Sequence, residues 1–311
     1  MSSDTDPLLP RTESAEAEQQ ADSHPITVRV CHSQWKSIDG HVLVGLRSLV
    51  AAYLTAVAGV ALKYKLEAQD DHNGWRIPFQ FSTVSFIIMW TYHIIASIWT
   101  TLHTFHPDAA DQRDVFRTFL SPPVKLNAAG KYFFSLFYTT ATVFPFLNSV
   151  IYYGVLLPSG HGGFKFPNTP PHHLGIGNST TVFPFYDPGK GLFEEDEIKP
   201  FGILNIWTIT GLIAGFEVIF LNSIKRQTPV TAHVGGIMGV TTLYICWAVL
   251  GKLLTDHAGL FFLDPKLMGG SVAAAIASAI GLITASAGTL TYMYGLTAMR
   301  ETITGALNAM S

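Results

Sequence analysis

Charge is scarce in this chain. Lys, Arg, Asp and Glu make up 13% of its 311 residues, and 19 basic residues against 22 acidic ones leave a formal charge of -3. The basic residues are scattered, which excludes the cationic stripe of a nucleic-acid binder and the polybasic cluster of a lipid-surface anchor. Cysteine is nearly absent too: there are 2, Cys31 before the first long apolar stretch and Cys246 inside the fifth. They lie at different depths, so no disulfide framework is expected. Cys31 has a juxtamembrane position that palmitoylation uses, and an ordinary thiol is the simpler reading. Also missing are a Walker loop, an HExxH helix, a GxSxG elbow and any Cys/His set with metal-ligand spacing; His172-His173 sits among prolines without further ligands. Neither metal nor cofactor is expected.

Apolar residues fill the space instead, at 48% of the chain, with a mean hydropathy of +0.30. They concentrate in stretches at residues 42–62, 79–102, 132–157, 203–223, 232–254 and 271–298, each close to the ~20 residues that a membrane-crossing helix needs. Backbone groups in hydrocarbon must be bonded internally, so the expected fold is an all-α, polytopic bundle of six transmembrane helices. Residues 1–41 are rich in Ser, Asp, Glu and Gln and read as a disordered cytosolic tail rather than a signal peptide. Residues 42–300 form the membrane domain, with a long loop at 158–201, and 301–311 a second cytosolic tail.

Orientation follows from the basic residues of the connections. Arg113, Arg117, Lys125 and Lys131 fall between the second and third spans, and Lys225 and Arg226 between the fourth and fifth, while Arg300 follows the sixth. All lie on one side, which the positive-inside rule makes cytosolic together with both termini. The sequon Asn178-Ser179-Thr180 then falls in the lumenal loop, where glycosylation at Asn178 is expected. Near the amino terminus Asp4 precedes Leu8-Leu9 in an acidic dileucine pattern. It resembles the signal by which adaptor complexes sort lysosomal and vacuolar membrane proteins. Endoplasmic reticulum and vacuole or lysosome both stay open.

Ionisable groups inside hydrocarbon cost on the order of 2.5–3.5 kcal/mol each, so they face the bundle interior or a cavity. Arg47, His93 and Glu217 are the deep ones here. Arg47 and Glu217 enter to similar depth from the same side, in spans one and four, and an ion pair between them would fix helix register; Arg47 alone would snorkel to the interface. His93 belongs to a second span loaded with hydroxyls, Ser82, Thr83, Ser85, Thr91, Ser97, Thr100 and Thr101 among them. Most can bond back to their own helix. Gly211 with Gly215, and Gly235 with Gly239, are small-residue pairs that suit close helix packing.

Four short segments carry a resemblance. Phe81-Ser82-Thr83-Val84 opens span two, Tyr152-Tyr153 closes span three, Tyr244-Ile245-Cys246-Trp247 lies in span five, and Gly259-Leu260-Phe261-Phe262-Leu263-Asp264-Pro265 follows it. In that order they resemble the androgen-induced gene 1/FAR-17a-like six-span membrane proteins and the related rolling-stone-like proteins. The resemblance implies intramembrane hydrolysis of fatty-acid esters of hydroxy fatty acids, by a threonine in span two and a histidine in span four. Thr83 matches the threonine. A threonine hydroxyl attacks only when a base removes its proton, and span four has no histidine; counted back from Glu217, its position is taken by Trp207, followed by Thr208. His257, beside Asp256, and His72 are substitute bases that reach about the same depth.

Three classes of function therefore stay open. One is a threonine-dependent lipid ester hydrolase lacking its usual base. Another is a noncatalytic membrane protein that binds lipid or serves as a scaffold, with membrane lipids as its partners. The least favoured is a transporter, for which interrupted helices or internal repeats are expected; Pro145 is the one clear interruption and no repeat is present.

Overall fold

The computed structural model describes residues 25–67, 74–106, 120–123, 125–159 and 198–310. Asn178, His72 and the Asp4, Leu8, Leu9 pattern lie outside them. Within them are 6 helices long and apolar enough to cross a membrane, and no strand. The first, α1, is Gly40–Glu67; α2 is Phe81–Phe105; α3 is Ala128–Ile151, carried on by a wider π-helical stretch, Tyr152–Leu156. The fourth, α4, is composite, alternating α-helical Ile198–Ile203 and Thr210–Phe216 with π-helical Leu204–Ile209 and Glu217–Leu221. Then come α5, Val230–Thr255, and α6, Val272–Met310. Because each crossing reverses direction, the starts of α1, α3 and α5 share a level with the ends of α2, α4 and α6. That level is called here the amino-terminal side.

Three helix starts, those of α1, α3 and α6, are set by short polar side chains whose oxygens satisfy unpaired amides of the first turn. Asp39 Oδ1 accepts from Val42 N at 2.8 Å, Asn127 Oδ1 from Gly130 N at 2.7 Å, and Ser271 Oγ from Ala274 N at 3.1 Å. Inside the spans the hydroxyls mostly turn inward on their own helix: Thr100, Thr140, Thr210 and Thr241 each donate to the carbonyl four residues back. Such bonds remove the penalty of a bare hydroxyl in hydrocarbon.

α3 is the central helix, the most enclosed of the six, and it touches α2, α4, α5 and α6. Its Val143, Phe144, Leu147 and Ile151 join Phe81, Ala214, Val218, Ile237, Tyr244 and Met293 in the main core. The outer surface carries Leu49, Leu212, Leu243, Leu253 and Ile280, all exposed, as helices bathed in acyl chains require. Close approach depends on one member of the expected glycine pairs: a Cβ on Gly211 would lie 2.2 Å from Ser149 Oγ, whereas Gly215, Gly235 and Gly239 have open space around them. Gly236 takes the packing role in α5, against Tyr132 and Leu136.

Two boundaries differ from the sequence reading. α6 runs on through Met310 rather than ending at 298, and Thr304 is buried and bonded to Arg300 O at 2.9 Å. Hydropathy reports the thickness of hydrocarbon, not the length of helix, so an extension outside the membrane is invisible to it. Likewise residues 25–39 are not tail: Ile26–Arg29 is a helical turn, and Thr27, Val28, Val30 and Cys31 are buried. Val30 packs with Tyr92, Ala96, Tyr138 and Ile224, and Trp35 Nε1 donates to Ile219 O at 2.7 Å. The partners that hold this segment are far away in sequence, 96 residues for Thr27 Oγ1 to Pro123 O and 194 for Ser223 Oγ to Arg29 O, which local composition cannot reveal.

Candidate functional site

Polar chemistry in the bundle separates into two layers. The layer toward the amino-terminal side centres on Glu217, which the π-helical end of α4 turns inward. Its Oε1 accepts from Arg47 Nη2 at 3.0 Å, Tyr92 OH at 2.6 Å and Asn222 Nδ2 at 3.3 Å. Arg47 and Glu217 are both at 0% exposure. The same Nη2 donates to Val30 O at 2.9 Å and Leu221 O at 2.6 Å, so the amino-terminal segment and the end of α4 are tied to α1 by one guanidinium. His93, 1% exposed, neighbours Tyr92 with ring centroids 5.3 Å apart and lies within electrostatic reach of Arg47 and Glu217.

Arg300, by its position in the sequence a charge flanking the sixth span, completes this layer. It is at 0% exposure. Its Nη1 donates to Val218 O at 2.6 Å, Asn222 O at 3.0 Å and Asn222 Oδ1 at 2.9 Å, and its Nη2 to Ile224 O. The last carbonyls of a helix have no partners within it, and Arg300 satisfies those that close α4, where the helix dipole also favours a cation. Asn222 then links both arginines, bonding Tyr138 OH at 3.0 Å and Glu217 O at 2.8 Å. The signal that sequence offered was spacing: Ser286, Met293 and Arg300 recur every seven residues and all are buried.

The second layer, at the opposite side, holds the residues that carry the family resemblance. Phe81 packs on Phe144 and Tyr244, with centroids 5.2 Å and 4.8 Å away. Tyr244 OH donates to Phe79 O at 3.2 Å and Trp247 Nε1 to Pro78 O at 2.9 Å. Gly259 passes so close that a Cβ would stand 1.9 Å from Phe79 O. Thr83 is half-buried on α2 in this layer, and α2 touches the π-helical stretch of α4 that contains Trp207. Trp207 itself stacks on Tyr152, with centroids 5.2 Å apart and planes 29° from parallel, and its carbonyl accepts from Ser149 Oγ. Thr208 shares a 2.7 Å hydrogen bond with Tyr153 OH. The aromatic pair that follows α3 thus packs on Trp207 and Thr208.

His257 has a different setting. It is exposed, past the end of α5, with Nδ1 3.0 Å from Thr255 O. Asp256 beside it takes a left-handed backbone, φ 58°, and its carboxylate is paired with Lys266 at 2.9 Å and Lys252 at 3.2 Å. Hydrogen bonds from Lys266 and then Lys252 hold that carboxyl below its usual range, so it stays ionised and engaged with lysine rather than orienting an imidazole.

Cys31 is 1% exposed, and burial pushes its thiol up to about 12, against a smaller opposing pull from Arg47. The thiolate is the reactive form. In folded protein Cys31 should therefore resist iodoacetamide at pH 8 and react once the chain is denatured, read by peptide mass spectrometry. Because the folded thiol holds its proton more tightly than the ordinary value of 9.0, its contribution to stability is complete below pH 9 and is lost as pH rises toward 12. Palmitoylation of the folded chain at this sulfur is disfavoured for the same reason.

The arrangement defines a multi-pass, α-helical integral membrane protein with a buried ionic layer and a separate aromatic layer. No family model, no curated protein and no solved structure matches the chain.

Proposed function

We propose that this chain is a noncatalytic, lipid-engaging membrane protein of the endomembrane system, descended from six-span lipid ester hydrolases. The stacking of Trp207 on Tyr152 carries this reading. A histidine at position 207 would supply a proton acceptor; an indole offers only an N–H donor and a large apolar surface. His257, the substitute base that the sequence offers within the described residues, is exposed beyond the end of α5. What remains in the aromatic layer is an aromatic and aliphatic surface suited to acyl chains.

Supporting the compartment are the amino-terminal Asp4, Leu8 and Leu9 pattern and the Asn178 sequon. Exposed Arg226, paired with Glu301 at 2.8 Å, lies on the amino-terminal side, in keeping with a cytosolic orientation of that side.

The test is labelling of the full chain in native membranes with a fluorophosphonate probe, beside hydrolysis of fatty-acid esters of hydroxy fatty acids in the same membranes. Wild type and Thr83→Ala should be equally unlabelled and equally inactive. Labelling and turnover present in wild type and lost in Thr83→Ala would overturn the proposal and establish a threonine hydrolase.

A further inference from the structure

Among the described residues, five polar atoms of the ionic layer have no hydrogen-bond partner: one is Arg300 Nε, and the other four are Arg47 Nε and Nη1, His93 Nδ1 and Glu217 Oε2. The latter four belong to three side chains at 0%, 1% and 0% exposure, from α1, α2 and α4. The carboxylate is used asymmetrically, since Oε1 takes three donors while Oε2 takes none. A buried polar atom left bare costs about 1–3 kcal/mol, more when charged, and four of them in one layer would outweigh the Arg47–Glu217 attraction. Something must satisfy them.

The chemistry of the partner follows from charge and hydrogen-bond sense. Arg47 and Arg300 repel a metal cation. A simple anion would suit Arg47 Nε and Nη1 but would be repelled by Glu217 Oε2. A neutral hydroxyl both accepts from the guanidinium and donates to the carboxylate. The enclosure, with all three side chains essentially inaccessible, limits that hydroxyl to the smallest molecule bearing one. An internal water typically makes about three hydrogen bonds, so one or two match the four atoms.

We infer that Arg47, His93 and Glu217 bind internal water between α1, α2 and α4, about 10 Å below the start of α1 given seven residues at 1.5 Å each. The ionic layer is then a wet polar centre in an apolar bundle. Bound water supplies Glu217 with the hydrogen bonds that Arg47, Tyr92 and Asn222 do not. This inference is independent of the aromatic layer and of its lack of catalysis.

The test is microsecond X-ray radiolysis of the full chain in phosphatidylcholine nanodiscs. Water held beside a side chain yields hydroxyl radicals there, so buried residues at a wet centre are oxidised as though exposed. Tyr92, 1% exposed, and His93 should be oxidised severalfold faster than Tyr244, which is 4% exposed and bonded to Phe79 O in the other layer. Equal, slow rates for Tyr92, His93 and Tyr244 would overturn the proposal by showing a dry centre. So would slow rates accompanied by a lipid alcohol released stoichiometrically on organic extraction, which would place a different hydroxyl at the site.

Discussion

Glu217→Leu should lower the stability of the bundle by about 3–5 kcal/mol, the usual effect of removing one partner of a buried ion pair. The loss has identifiable parts. Arg47 keeps its bonds to Val30 O and Leu221 O but no longer has a counter-charge, Tyr92 OH loses its acceptor at 2.6 Å, and Asn222 loses one of its contacts. Replacing both members, Arg47→Leu with Glu217→Leu, should recover a large part of the deficit, because an apolar pair leaves no stranded charge. Unfolding of the purified chain in mixed detergent micelles, followed by tryptophan fluorescence, measures the four corners of the cycle. Single variants that match wild type would show that the pair contributes no net stability.

Arg300→Met is the second large effect, on the order of 3 kcal/mol or more, since hydrogen bonds to charged groups are worth about 1.5–3 kcal/mol each. Four bonds to the end of α4 disappear, and the carbonyls of Val218, Asn222 and Ile224 lose the guanidinium that they share. Arg300→Lys keeps the charge but not the planar fork and should recover only part. The readout that separates capping from bulk packing is protease cleavage in the link at residues 222–229, which should rise in Arg300→Met ahead of global unfolding.

Fold class was legible because hydrophobic run length is a direct statement about hydrocarbon thickness, and six such runs leave few architectures open. Segments that fold outside hydrocarbon carried no such signal. The burial of Val30 and Cys31 depends on Tyr138 and Ile224, far away in sequence, and the continuation of α6 past 298 depends on Thr304 packing back on Arg300. In the ionic layer, matching depth from opposite chain directions was enough to suggest Arg47 beside Glu217. Arg300 escaped because its position near the chain end suited a flanking charge equally well. Asn222 escaped because an asparagine at a helix end reads as a cap, and its part in joining two arginines exists only once three helices meet. The aromatic layer was legible only through a family resemblance, which supplied Thr83 and position 207 as the places to look; packing then explained what a tryptophan does there.

The distance in sequence between Arg47 and Glu217 sets a problem for synthesis. The two are 170 residues apart, and at roughly 5–20 residues per second a ribosome needs on the order of 10–30 s to travel from one to the other. For that interval the first helix leaves the translocation channel with a guanidinium that has neither its carboxylate nor the Leu221 carbonyl. A nascent chain in that state is a ready client for membrane chaperones and a ready substrate for quality control. Any lesion that delays or misplaces α4 therefore exposes a degradation signal located in α1, far from the lesion itself.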